Sequence, residues 1–351
     1  MEMERRIGPF VQLGKDIEKV CAQWNGEINS IPATWRKVME KAKHENGWFS
    51  YENQINALNG IRILLDEKAI REAIQPYLAE FTVEKPKTVA VIMAGNIPAV
   101  NFLDFMAVLL SGNVFLGKLS SDDPHWLPFL ANELSELEPG LKPFIQFEKE
   151  VIKTSFDAVM ATGSNNTARY FEYYFDRYPH IIRKNRTSVA VLDGTETEEE
   201  MKALGKDISD YYGMGCRNVS KLFVPDGYDF IPLLKCLEEF KSLTENHKFV
   251  NNYEYHRSVF LLNGDAFYDN GVYLFKSNHG LGAPVGTVFY DFYKDKQELV
   301  AKLWIDEQQI QCTVAGGEKQ FPRQVSFGGS QCPSLSDFPD NVNVFAFLAG
   351  L

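Results

Sequence analysis

TVAVIM (88–93), AGNIP (94–98), NFLDFMAVLL (101–110), SGN (111–113) and VFLGKL (114–119) form one continuous passage that reads strand, turn, helix, stop, strand. The first run is β-branched, the composition of a strand. Gly95 and Pro98 mark a turn, and a helical stretch then runs to Leu110. Ser111-Gly112-Asn113 stops it ahead of the second strand. The alternation continues downstream. A strand at 156–161 leads through Thr162-Gly163-Ser164 into a helix at 165–175. After Arg186 come a strand at 188–192 and a helix at 197–212, whose first turn carries Glu198-Glu199-Glu200, negative charge where a helix N-terminus favours it. Further strands are expected at 221–224, 285–292 and 309–314, with helices at 230–243 and 296–305. Such alternation predicts parallel sheets with helices on their faces. Residues 1–85 read as helical and amphipathic and carry no recognisable chemistry. At 351 residues the chain is long enough for about two domains, with a boundary near Thr187.

Composition excludes several classes. The chain is 45% hydrophobic and 24% charged, the balance of an ordinary globular protein, and has no apolar run near the ~18 residues a membrane span needs. The charged N-terminus lacks the apolar core of a signal peptide, so a cytoplasmic location is expected. A net charge of −11 with no basic block makes nucleic acid a poor partner. Cys21, Cys216, Cys236, Cys312 and Cys332 are dispersed, without a C-x-x-C pair, and read as reduced thiols; no disulfide frame or metal site is expected.

Three glycine-rich motifs fail on context. Residues 112–118 fit the first seven positions of a phosphate-binding P-loop, but position 119 is Leu and the segment leaves a helix for a strand, the reverse of what a P-loop requires. Residues 280–286 are followed by a strand, with glycine spacing that misses the dinucleotide fingerprint, and residues 213–218 lack its third glycine.

Four segments taken in order carry a resemblance. They are Gly95-Asn96-Ile97-Pro98, the stretch 112–121 with Lys118 and Ser121, Ala161-Thr162-Gly163-Ser164, and Tyr212-Gly213-Met214-Gly215-Cys216-Arg217. From about Thr88 onward, including the late Phe327-Gly328-Gly329-Ser330, the chain resembles the aldehyde dehydrogenase superfamily. Within it, the chain is similar to the acyl-CoA reductase family that includes the fatty-acid reductase of bacterial bioluminescence. The fold this implies is α/β and aldehyde-dehydrogenase-like, with two α/β domains, parallel-rich sheets and an oligomerisation hairpin shortened or absent. The domains expected are 1–187 (helices and nucleotide binding), 188–320 (the cysteine) and 321–351 (a segment returning to the nucleotide domain or an interface). A homodimer is compatible with this.

The resemblance implies roles. Cys216 would be the acyl-accepting nucleophile, its thiolate stabilised by backbone dipoles and the adjoining Arg217; the plain alternative is an unreactive turn cysteine. Asn96 would donate its amide to the oxyanion beside the Cys216 N–H, or it is an asparagine that a turn favours. Lys118 would hold the cofactor's adenosine ribose, unless it is simply a lysine at a strand end. Ser121 stands where NAD-preferring relatives carry a glutamate, which favours NADPH over NADH as the cofactor. Thr162, Gly163 and Ser164 open a helix whose N-terminus would face the pyrophosphate.

Two departures matter. Residues 179–187, PHIIRKNRT, contain no carboxylate where hydrolytic relatives carry the glutamate that activates water, which favours transfer to a thiol and hence an acyl-CoA substrate. Residues 278–284 lack the second glutamate of the superfamily, and His279 there is read as a polar substitute or proton donor, with a plain surface-loop histidine as the alternative. The expected activity is NADPH-dependent reduction of an acyl-CoA to the aldehyde. An acyl phosphate or carrier-protein thioester, or an inactive binding subunit, remain as alternatives.

Overall fold

Ile7, Phe10, Leu13, Ile17 and Val20 recur at three- and four-residue spacing and put one buried stripe along α1 (Met3–Gln23). The computed structural model describes residues 1–82, 85–150 and 152–351, so residues 83 and 84 of the stretch read as helical lie outside the described residues. α2 (Ala33–Glu45), α3 (Tyr51–Leu64) and α4 (Glu67–Ile74) follow, with α3 and α4 packed on α1. Ser50 and Asp66 cap α3 and α4 by accepting backbone N–H groups.

The alternating region then builds β1 (Thr88–Ile92), α5 (Phe102–Leu110), β2 (Val114–Lys118), α6 (Trp126–Leu137), β3 (Ile145–Glu148), β4 (Ala158–Thr162), α7 (Asn165–Phe175) and β5 (His180–Arg183). The five strands are parallel in the order β3-β2-β1-β4-β5. Side chains alternate across β1. Val89 and Val91 enter the core shared with α1, α5 and α6, and Ala90 enters a smaller core covered by Phe171 and Phe175 of α7. A strand buried on both faces reads as an unbroken apolar run, which is why 88–93 was legible.

The second unit holds β6 (Thr187–Val191), α8 (Glu198–Ser209), β7 (Val219–Pro225), α9 (Ile231–Leu237), α10 (His247–Asn263), β8 (Phe267–Asp269), β9 (Leu274–Ser277), β10 (Thr287–Tyr293), α11 (Lys296–Ile305), β11 (Ile310–Ala315) and β12 (Gln324–Val325). Its sheet runs β12-β11-β6-β7-β10-β9-β8, parallel except for the β8–β9 pair. Thr197 and Glu200 form a reciprocal capping box at the acidic start of α8. α12 (Val344–Ala349) buries Val344, Phe345 and Leu348 in the core of the first unit.

By contacts the chain divides into Met1–Lys184 with Pro333–Leu351, and Asn185–Cys332. Residues 321–332, grouped by sequence with the returning segment, contain β12, which pairs with β11. The fold is α/β with parallel-rich sheets. No helix among the described residues is long and apolar enough to cross a membrane. The structure also shows why residues 112–118 are no phosphate loop. Gly112 has φ +84°, and a Cβ there would lie 2.6 Å from the Arg6 guanidinium, so this glycine is a tightly packed helix stop.

Candidate active site

In the first unit the strand order reverses beside β1, between β2 on one side and β4 on the other. In open parallel sheets that reversal opens a crevice outside the carboxyl ends of the strands. Register places Lys118 and Ala161 on either side of Ile92. Asn96 follows β1, Lys118 ends β2 with the exposed Ser121 three residues on, and Thr162 ends β4 before Gly163 and Ser164. All six residues therefore stand at one edge of the sheet. Ser164 caps α7, accepting the Thr167 N–H at 3.2 Å, and the Gly163 N–H donates to the Arg183 carbonyl at 3.1 Å. Gly95 has no room for a side chain, because a Cβ would lie 2.4 Å from Ser120 Oγ and 2.9 Å from Asp122 Cβ.

In the second unit the chain leaves α8 through three successive left-handed residues, Tyr211 (φ 53°), Tyr212 (φ 57°) and Gly213 (φ 76°). Tyrosine in that region costs about 1–2 kcal/mol per residue, so the surrounding contacts must hold it there. Residues 215–218 then form a turn closed by the Asn218 N–H donating to the Gly215 carbonyl at 3.0 Å. The Asn218 side chain ties this turn down. Its Oδ1 accepts the Gly215 N–H at 2.9 Å, and its Nδ2 donates to the carbonyls of Asp207 (3.0 Å) and Asp210 (2.7 Å) at the end of α8. Ser188 Oγ donates to the Cys216 carbonyl at 3.0 Å and accepts the Cys312 N–H at 3.2 Å. Cys216 thus projects from a turn fixed on both sides, with its side chain exposed. Cys332 is exposed too, whereas burial pushes the Cys21 thiol up to about 11 and raises that of Cys312.

Comparison with known proteins decides the family. The family model described as LuxC, acyl-CoA reductase, matches residues 26–243, well over half of the chain. The chain belongs to the LuxC acyl-CoA reductase family. No curated protein matches it. Among solved structures it is similar to aldehyde dehydrogenase 21 of Physcomitrella patens, which was solved in complex with succinate (TM-score 0.67, 9% identity, 97% of this chain and 82% of that one). It is also similar to the 1-pyrroline-5-carboxylate dehydrogenase of Thermus thermophilus (0.64, 13%, 99% and 80%). A third likeness is to aldehyde dehydrogenase C of Pseudomonas syringae, a mutant complexed with NAD+ and octanal (0.62, 11%, 90% and 72%). At these identities the likeness is one of fold. Family and fold together make this LuxC-family chain an oxidoreductase acting at the aldehyde level.

The span matched to the LuxC family contains Asn96, Lys118, Ser121, Thr162, Gly163, Ser164 and Cys216, and ends before His279 and Phe327. His279, read as a polar substitute or proton donor, lies in the loop that follows β9. Its Nδ1 lies 3.0 Å from Asp291 Oδ1, and Asp291 pairs in register with Phe223. The imidazole is 95% exposed, and the Asp291 carboxylate it meets also pairs with a buried lysine. Lys221, fully buried, lies 2.9 Å from Asp291 Oδ2 and donates to the Asn278 carbonyl; burial lowers the pKa of its ammonium while Asp291 works the other way.

Arg217 makes a bond to the late glycine segment. Its Nε donates to the Ser330 carbonyl, so it tethers the 327–330 segment to the cysteine turn. Asp207 completes that tether, accepting the N–H groups of Gly328 (2.6 Å) and Ser330 (3.0 Å). Sequence reading passed over Asp207, Ser188 and Asn218. Asp207 left one signal, a carboxylate interrupting the buried face of α8 between Leu204 and Ile208.

Proposed function

We propose that this LuxC-family enzyme reduces an acyl-CoA thioester to the aldehyde, with NADPH as reductant and Cys216 as the residue that carries the acyl group. The observation that supports this most directly is the exposed Cys216 thiol on a turn pinned by Asn218 and Ser188, in a sheet of aldehyde dehydrogenase type. The first unit is the proposed nucleotide-binding unit and the second the acyl-transfer unit. The donor set at the carboxyl edge of the first sheet suits a phosphorylated nucleotide. Lys118 supplies a cation, the exposed Ser121 a hydroxyl in place of a carboxylate, and Gly163 and Ser164 lead into the N-terminus of α7, which favours an anion. A fold relative that holds NAD+ together with octanal supports a nicotinamide nucleotide and an aliphatic aldehyde.

The Cys216 thiolate attacks the thioester carbonyl carbon, and the oxyanion takes hydrogen bonds from the Asn96 amide and the Cys216 N–H. The carbon–sulfur bond to CoA breaks, leaving the acyl group on Cys216, and the departing thiolate takes a proton. NADPH, when bound, supplies the hydride that takes this acyl group to the aldehyde level. The resulting thiohemiacetal oxyanion is held by the same donors, and its collapse breaks the bond to Cys216 and frees the aldehyde. Residues 179–187 offer no carboxylate to activate water, so the acyl group persists on sulfur until it is reduced.

Incubation with radiolabelled acyl-CoA in the absence of NADPH should place one label on Cys216. Cys216→Ala should abolish both label and aldehyde formation, whereas Cys332→Ala, at the other exposed thiol, should retain both. Label that survives in Cys216→Ala would remove the assignment, and labelling by acyl phosphate but not by acyl-CoA would replace the substrate class.

A further inference from the structure

We propose that Asn101 and Asp123 are positioning residues for Asn96, fixing its loop at both ends before substrate arrives. The proposal rests on the reading of Asn96 as the oxyanion donor. Residues 94–99 connect the end of β1 to the turn that enters α5, and each end of this loop is bound to a buried side chain. At the start, the Ala94 N–H donates to Asn101 Oδ1 at 2.9 Å. At the finish, the Ala99 N–H donates to Asp123 Oδ2 at 2.8 Å.

Both anchors are themselves held. Asn101 Nδ2 donates to Asp104 Oδ2 at 3.1 Å, and Asp104 receives both arms of Arg183 at 2.6 and 2.8 Å. Asp123 Oδ1 accepts the Trp126 N–H at 3.1 Å, at the first turn of α6. Asn101 is 4% exposed and Asp104 and Asp123 are 2% exposed, so water cannot readily replace any of these bonds. The chain between the anchors has little freedom. Gly95 is pressed against Ser120 and Asp122, Pro98 has a fixed φ, and Ala99 sits at φ 52°, a left-handed conformation whose cost the surrounding contacts offset, the bond to Asp123 among them.

Rigidity of this kind matters for one purpose above others. A donor stabilises an oxyanion only if it is aimed in advance, because reorienting it during the reaction consumes the stabilisation it provides. Buried N–H groups need acceptors in any loop, but here each acceptor is itself held by further buried hydrogen bonds, which fixes where the loop sits as well as satisfying it. Arg183 adds a second link, since its carbonyl accepts the Gly163 N–H while its side chain reaches Asn101 through Asp104. The Asn96 loop and the Gly163 loop are thereby braced on one buried polar chain.

The test is a double-mutant cycle on the full-length enzyme, with kcat and KM for acyl-CoA measured at saturating NADPH and thermal unfolding recorded for every variant. Asn96→Ala alone examines the donor reading: if its kcat equals that of wild type, that reading fails. With kcat lowered in Asn96→Ala, Asn101→Ala should lower wild-type kcat by about 10- to 100-fold, the scale of an ångström misplacement. KM should stay within about twofold. Added to Asn96→Ala, the same change should lower kcat by less than about threefold further, because there is no donor left to aim. Equal losses in both backgrounds, or an effect confined to KM or to the unfolding temperature, would overturn the proposal while leaving the donor reading intact. If Asn101→Ala does not fold, Asp123→Asn enters the same cycle under the same criteria, since an amide has one accepting oxygen where the carboxylate uses both, one for the Ala99 N–H and the other for the Trp126 N–H.

Discussion

Ser121 is exposed three residues beyond the end of β2, and its side chain is the most informative single difference from an NAD-preferring pattern. On the proposed placement of the nucleotide, a carboxylate there would face the 2′-phosphate of NADPH. Two unit charges ~4 Å apart near a protein surface repel by about 4 kcal/mol before screening, and a hydroxyl does not. Ser121→Glu should therefore shift the ratio of kcat/KM for NADPH and NADH toward NADH, chiefly through nucleotide affinity. An unchanged ratio would place the ribose elsewhere. Other contacts depend on side-chain direction: Arg217 Nε donates to the Ser330 carbonyl, and His279 Nδ1 meets the Asp291 carboxylate.

Helix α8 shows how one element serves the cysteine turn. Thr197 and Glu200 cap its start, and its final carbonyls are taken by Asn218, so the helix is satisfied at both ends. Asp207 and Asp210 place two carboxylates near its C-terminus, where the helix dipole disfavours negative charge. Burial, opposed by Lys206 and reinforced by Asp207, raises the Asp210 pKa to about 6 from 3.8. Between those values the folded state holds a proton that the unfolded state has released, so stability falls as pH rises from about 4 to 6 and stays low above that. Asp210→Asn removes the penalty while keeping the backbone carbonyl that Asn218 uses. In urea unfolding it should match wild type near pH 4 and exceed it at pH 7.5 by at most about 3 kcal/mol, less where solvent screens the group. Parallel stability profiles across that range would show that Asp210 ionises normally.

At the scale of the molecule, two cores form from chain segments that interleave along the sequence. Residues 333–351 return to the first unit, where α12 packs on α5 and buries Phe345 completely. Phe345→Ala should cost roughly 3–5 kcal/mol, read as a lower urea midpoint, because a buried ring leaves both lost contacts and a cavity. A shift within about 0.5 kcal/mol, the size of a surface substitution, would mean that α12 is dispensable to that core.

Local pattern was enough to place α7 and α11 at the residues where they occur, 165–175 and 296–305, and to recognise β1, β2, β4, β6, β7, β10 and β11 as strands to within a few residues. These elements announce themselves because a doubly buried strand is an unbroken apolar run and a capped helix carries its own boundary residues. β3, β5, β8, β9 and β12 were not read, since each spans four residues or fewer, too short for any periodicity, and the longer helices α6 and α10 were not read either. The order of the four motifs was legible as well, since it is a property of the chain, and it led to the LuxC family. Which polar groups meet was not. Asn101 with Ala94, Asp207 with Gly328 and Ser330, Arg183 with Asp104 and His279 with Asp291 are pairings set by strand register and by the direction of each side chain. Neither exists until the sheets have formed, so the sequence alone determined the longer strands, several helices and the order of the motifs, and tertiary structure decided the short strands and which residue supports which.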